Sequence, residues 1–209
     1  MSDSAARHLS RVDPILRAII RTHGPGRIEP QTLHSPYEAL VRAIAYQQLN
    51  GKAAETILQR FVALFPEQRF PHPQGVLAVE DEVMRRSGLS RQKIAAIRDI
   101  AANTLSGVVP TRRAALRMDD DALIERLTTI RGVGRWTVEM LLIFNLNRPD
   151  VLPIDDYGVR AGFKIAYRRR ELPAPKQLRS FGERWAPYRS TAAWYLWRVV
   201  ERAKATVAD

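Results

Sequence analysis

An all-α fold is what this sequence predicts, on three observations. Apolar residues recur at i, i+3 and i+4 from one end of the chain to the other. Strand-like alternation is nearly absent, and the connections, such as Phe65 to Pro73 and Glu171 to Pro175, are short and rich in glycine and proline. Hydrophobic residues make up 45 % of 209 residues, enough to bury a core.

The elements follow in order. Asp13-Pro14 reads as N-cap and first helical residue, with Gly24 closing that helix. Ser35-Pro36-Tyr37-Glu38 is a capping box leading into Leu40, Val41, Ile44, Ala45 and Leu49. A stripe from Ala53 to Phe65 gives the next. Ser90 starts a helix carrying Ile94, Ile97, Ile100 and Ala101, and Gly107 stops it. Asp119 or Asp120 caps a helix carrying Leu123, Ile124, Leu127 and Ile130. Trp136 to Leu146, Tyr157 to Tyr167, Lys176 to Trp185 and Thr191 to Ala203 complete a series of about nine or ten helices.

Charge and composition narrow the function. Lys and Arg outnumber Asp and Glu by 33 to 22, a net charge of +11 that favours a polyanion, nucleic acid before membrane. No cysteine is present, which excludes disulfides, thiolate zinc sites and cysteine-ligated iron–sulfur clusters. The histidines, His8, His23, His34 and His72, are scattered without metal-ligand spacing. Met1 to Arg11 lacks the apolar core of a signal peptide, and Met140 to Leu146 is too short to span a bilayer, so a soluble, cytoplasmic protein is expected.

The most informative stretch is Leu127-Thr-Thr-Ile-Arg-Gly132-Val-Gly134-Arg-Trp136-Thr137. Two glycines between helices let the backbone take positive φ and approach a neighbour closely. Amides opening the second helix then suit an anion such as a DNA phosphate, although a plain αα-turn with a capping glycine has the same spacing. Downstream, Leu152-Pro-Ile-Asp155-Asp156-Tyr157 places two carboxylates where a loop becomes a helix. One can serve as N-cap and leave the other for chemistry. A fixed anion there suits a reaction that builds positive charge on a sugar.

Together these segments resemble the helix–hairpin–helix DNA glycosylase superfamily (HhH-GPD), and within it the alkylated-base branch, 3-methyladenine DNA glycosylase II. The similarity runs from about Tyr37 to Val200. The resemblance implies two helical subdomains flanking a substrate cleft, expected here over approximately 40–150, with the hairpin at 127–137, and approximately 1–39 plus 151–209. Longer bacterial members add an N-terminal mixed α/β domain, which is not expected in the short stretch ahead of the helical region here. The implied activity is hydrolysis of the N-glycosidic bond of alkylated bases, of the 3-methyladenine and 7-methylguanine type, in damaged double-stranded DNA. A monomer that needs no cofactor and no membrane is expected.

The resemblance also distributes roles. It makes Asp156 the catalytic carboxylate, with Asp155 as second choice and structural cap. Where strand-cleaving relatives carry a Schiff-base lysine this chain has Trp136, so a monofunctional enzyme is expected. Trp136, Met140, Tyr157 and Trp197 are expected to line the base pocket by stacking and cation–π contact; Trp194, at i, i+3 from Trp197, reads as core. Gln47-Gln48-Leu49-Asn50 matches the family's wedge, with Leu49 as plug and Gln48 beside it, although helix-end packing also accounts for Leu49. Gly132, Gly134, Arg135, Thr137 and Lys93 are expected to face DNA phosphates. A monovalent cation, Na+ or K+, is implied at the carbonyls of Thr128, Ile130 and Val133. A non-catalytic DNA-binding module and a bifunctional glycosylase/lyase are the competing readings.

Overall fold

The computed structural model describes residues 3–26, 28–29 and 34–208. Among them are thirteen α-helices, one π-helical and one 3-10 segment, and no strand. The all-α expectation holds. The helix number exceeds the expected nine or ten because α1 (Asp3–Val12), α5 (Pro73–Ala78), α6 (Asp81–Arg86) and α8 (Arg112–Ala115) also form. The last three are one or two turns long, too short to display a stripe, and short helices depend on tertiary contacts. None of the described helices is long and apolar enough to cross a membrane.

The chain divides into two compact units, Met1–Pro30 with Leu142–Asp209, and Gln31–Leu141. The boundaries differ from those expected near 39 and 150. Helix α3 (Pro36–Tyr46) packs as a whole on α4 (Gly51–Val62) and α7 (Arg91–Leu105), so it cannot be cut at residue 40. The return at 141/142 falls at the start of the π segment, Leu141–Asn145. That segment continues α10 (Arg135–Met140), where the sequence periodicity predicts unbroken α-helix.

The unit of Gln31–Leu141 is built around α7, whose Ile94, Ile97, Ile100 and Ala101 are buried. Arg98 on this helix holds the end of α5, donating to the carbonyls of Val76, Leu77 and Val79, and pairs with Asp81 at 2.7 Å. Short α5 and α6 are thus held on α7 by this guanidinium together with buried Val76 and Met84. Helix α9 (Asp120–Leu127) adds buried Leu123, Ile124 and Leu127.

The other unit comprises α1, α2 (Pro14–His23), α11 (Tyr157–Ala166), α12 (Pro175–Gly182) and α13 (Arg189–Ala208) around Leu9, Leu16, Val159, Phe163, Leu178, Trp185, Tyr195 and Leu196. Its polar centre is Asp13, which is buried. One oxygen caps α2, accepting from the N–H groups of Ile15 and Leu16 at 2.9 and 3.1 Å. The other accepts from the Tyr167 hydroxyl at 2.6 Å and the Trp185 indole at 2.9 Å. Burial, and then Asp13, push the Tyr167 hydroxyl far above the usual tyrosine range. A cap read from sequence thus also ties α2 to the far end of α11.

Replacing Asp13 by Ala removes the cap and leaves the buried Trp185 indole and the half-buried Tyr167 hydroxyl without their acceptor. We expect a loss on the order of 3–5 kcal/mol. In a thermal melt this lowers the midpoint by roughly 10 °C.

Candidate active site

The loop leading to the paired aspartates is strapped to the start of α13. Asp150 takes both Nε and Nη2 of Arg189, at 2.7 and 2.8 Å, and accepts from the Arg189 backbone N–H at 3.2 Å. Burial would raise the Asp150 carboxyl, but the hydrogen bonds and charge of Arg189 outweigh it and hold the group below the usual range. Ser190, also buried, donates from Oγ to the Arg148 carbonyl at 2.7 Å and accepts from Val151 N–H at 2.9 Å. Val151 and Ile154 are buried, and a turn through Asp155 delivers the chain to α11.

Asp156 is the N-cap of α11. Its Oδ1 accepts from Val159 N–H at 2.7 Å and from the Trp197 indole N–H at 2.8 Å. The expected division of labour is therefore corrected. Asp155 is exposed in the preceding turn and is not the cap, because the first helical residue is Tyr157. A single half-buried carboxylate combines the capping position with an indole partner.

Two glycines bring that partner within reach. A Cβ at Gly162 would lie 2.1 Å from the Leu196 carbonyl oxygen, so the backbones of α11 and α13 approach as only glycine permits. One turn earlier, a Cβ at Gly158 would lie 2.8 Å from Trp197 Cδ1 and 3.1 Å from Asp156 Oδ1. Trp197 is braced on its own face by Phe144, stacked with a centroid separation of 5.6 Å. Tyr157, the next residue after Asp156, leaves 70 % of its surface in solvent. Trp194 packs partly buried against the unit's core, as its spacing suggests. Tyr195 is fully buried, accepting from Gly26 N–H and donating to the Gly24 carbonyl.

The hairpin lies in the other unit. Helix α9 ends at Leu127, earlier than the apolar pattern implied, and α10 begins at Arg135. Gly132 has φ +78°, and a Cβ there would stand 2.9 Å from that of Ala96, so this glycine is required by the chain itself. Gly134 differs from the expectation. Its φ is −90° and a Cβ would meet nothing within 4 Å, so no neighbour in the protein calls for glycine here. Among the described residues, the carbonyls of Thr128 and Val133 receive no backbone or side-chain donor, while that of Ile130 accepts from Val133 N–H at 3.1 Å. Neutral backbone oxygens of this kind fit a monovalent cation.

Around the hairpin the expected residues part company. Trp136 exposes 44 % of its surface and Met140 is half-buried. Arg135 is partly exposed and pairs with buried Glu139 at 3.0 Å. Thr137 is only 3 % exposed, so its side chain cannot meet DNA and only its backbone is left for that role. Lys93 turns inward, its Nζ donating to the Ala45 carbonyl at 2.7 Å, and burial lowers its ammonium below the usual lysine range. It buttresses α3 where a phosphate contact was expected. Gln48 lies at φ +58°, and Leu49 keeps 40 % of its surface exposed. Sequence reasoning missed two contacts: the Trp197 indole on Asp156, and the Gln47 amide on the Gly132 carbonyl. The glycines at i and i+4 of α11 were the available signal for the first.

Helical units carrying a glycine hairpin and a capping aspartate define the helix–hairpin–helix class. A family model described as HhH-GPD superfamily base excision DNA repair protein matches residues 41–187, and the chain belongs to that family. It is 42 % identical to DNA-3-methyladenine glycosylase 1 of Schizosaccharomyces pombe, over 95 % of this chain and 88 % of the relative. The solved structure of the 3-methyladenine DNA glycosylase of that yeast, in complex with abasic DNA, superposes with a TM-score of 0.83, covering 93 % of this chain and 95 % of that one. A DNA-3-methyladenine glycosidase from Bacillus halodurans gives 0.85 at 32 % identity, covering 97 % and 92 %.

Because the ring of Trp197 cannot bend away, Gly158→Ala forces it off Asp156. In 15N-labelled protein the Trp197 indole N–H resonance moves, while that of Trp185, held by Asp13, stays in place. The crowding costs about 1–3 kcal/mol in a denaturant melt.

Proposed function

We propose that this protein is a monofunctional DNA glycosylase that hydrolyses the N-glycosidic bond of alkylated bases in double-stranded DNA and acts as a monomer. The observation that carries the reading is the Asp156 carboxylate, fixed through Oδ1 by a helix N–H and an indole N–H. The names and DNA complex of the relatives, and the family membership, support it.

The chemistry asks little of the protein beyond charge and position. The C1′–N bond breaks with its electron pair leaving on the base, and the sugar becomes an oxocarbenium ion. Alkylated purines such as 3-methyladenine are already cationic, so they depart without strong acid catalysis. A carboxylate beside the sugar stabilises the positive charge and takes the proton of the water that attacks C1′. Asp156 is assigned both tasks. Its position at the start of α11 sets it beside the positive end of the helix dipole, and the indole fixes its direction. Trp197 is thereby a positioning residue. Tyr157, the residue after Asp156, exposes a ring suited to stacking on a cationic base; Trp136 also exposes its ring, and Met140 follows it one helical turn later.

Binding follows from charge. A net charge of +11 attracts the DNA backbone. The backbone amides of Gly132, Gly134, Arg135 and Thr137, with the Arg135 side chain, are assigned to a phosphate, and the open surface at Gly134 admits one closely. A Na+ or K+ held by the carbonyls of Thr128, Ile130 and Val133 would add positive charge beside that phosphate. Leu49, with Gln48, is assigned to the gap left by the displaced base.

Asp156→Asn is the clean test, because asparagine still caps a helix and still offers an oxygen to Val159 and Trp197. On methylated duplex DNA, release of 3-methyladenine and 7-methylguanine falls on the order of 10²–10⁴-fold while DNA affinity is retained. Release at the wild-type rate would overturn the assignment; binding without release by the wild type would favour a non-catalytic module. Borohydride treatment during turnover leaves no protein–DNA adduct, since Trp136 stands where a lyase needs an amine. A trapped adduct would contradict monofunctional action.

A further inference from the structure

We propose that Gln47 is a positioning residue that locks the base-displacing turn to the phosphate-binding hairpin, so that gripping the DNA backbone fixes where Gln48 and Leu49 enter the duplex. The proposal rests on the glycosylase reading above and adds to it a mechanical link.

The link begins with the carbonyls that close α3, which a helix end must satisfy from outside its own ladder. Those of Ala43 and Ile44 receive the Gln47 backbone N–H, at 3.2 and 3.3 Å. That of Ala45 receives Lys93 Nζ, and that of Tyr46 receives Leu49 N–H at 3.3 Å. The helix end is therefore fixed, and the turn leaves it at a defined place. Gln48 then adopts a left-handed conformation uncommon for a residue with a Cβ. Asn50 closes the turn by capping α4, its Oδ1 accepting from Ala53 N–H at 2.9 Å. Between these two caps stands Leu49, a large apolar side chain that keeps 40 % of its surface exposed.

The hairpin is fixed by the same helix. Arg131 N–H donates to Asp99 Oδ2 at 2.7 Å, and Gly132 lies against Ala96 too closely for any Cβ. Lys93, Ala96 and Asp99 follow at three-residue steps along α7, the first holding the turn and the other two the hairpin. Gln47 closes the circuit directly: its Nε2 donates to the Gly132 carbonyl at 3.1 Å across 85 residues of sequence. An exposed amide–carbonyl bond adds little to stability. Its use is geometric, because it sets the distance between the element assigned to a phosphate and the one assigned to the vacated base stack.

The test uses Gln47→Met, which keeps length and loses the donor, and Gln47→Glu, which keeps shape and sets a carboxylate against the carbonyl. Single-turnover release of 7-methylguanine is measured from two duplexes, one with the lesion paired with cytosine and one with it in an unpaired bulge, where displacement is already easy. We expect each variant to slow release from the paired lesion about tenfold or more, as a misplaced contact remote from the chemistry does. Release from the bulge changes less than about twofold, because no stacked pair must be opened. Equal slowing on both duplexes would mean that Gln47 merely supports the fold or the chemistry, and would overturn the proposal; so would unchanged rates on both. A wild-type chain that releases no base from either duplex would overturn the glycosylase reading, and this one with it.

Discussion

One carboxylate oxygen sets the design of the unit that carries it. Asp156 Oδ1 accepts from the first turn of α11 and from an indole on α13, so its direction is fixed by two helices at once. That is possible only because Gly158 and Gly162 bring the two helices close enough for the indole to reach. The approach loop is held by Asp150, Arg189 and Ser190, and the far end of α11 by Tyr167 on buried Asp13. Helix α11 is thus pinned at both ends by aspartates, one assigned to chemistry and one enclosed in the core. A rigid anion suits a reaction whose catalysis consists of having negative charge already in place when the sugar becomes positive.

The other unit solves a different problem, that of holding exposed elements still. Leu49, Gln48 and the hairpin must stay accessible, so they cannot be fixed by burial. They are mounted instead on α7, whose apolar face fills the core while Lys93, Ala96 and Asp99 brace the surface. Lys93 shows how this alters a residue's use. In an open setting its ammonium would suit DNA, but here it satisfies the end of α3. Part of the basic excess therefore serves the frame.

Much of this was legible in the sequence, and the remainder was not for definable reasons. Helices with a polar cap and a long apolar stripe, such as those opened by Asp13, Ser35 and Ser90, announce themselves. Helices α5 and α6 do not, because contacts such as those of Arg98 hold them, and α8 is a single turn, too short to show a period. The π turn after Met140 keeps the apolar spacing of an α-helix and is invisible to pattern. At the site, the Asp-Asp pair pointed to the right helix start, but which carboxylate caps depends on a one-residue boundary. The positive φ of Gly132 was readable, whereas the freedom at Gly134 could be seen only once the space around it was known. Thr137 looked like an interface residue and proved to be interior. Gln47 left no local signature, since its contact joins segments far apart in the chain.

The central claim is that Asp156 is the working carboxylate and that Trp197 acts through it. A double-mutant cycle of Asp156→Asn and Trp197→Phe, followed by single-turnover base release, tests this most directly. The account predicts that the tryptophan substitution slows the wild type but adds little once Asp156 has been neutralised. Losses that multiply would mean that the two side chains act independently, and the indole-held anion would no longer explain the site.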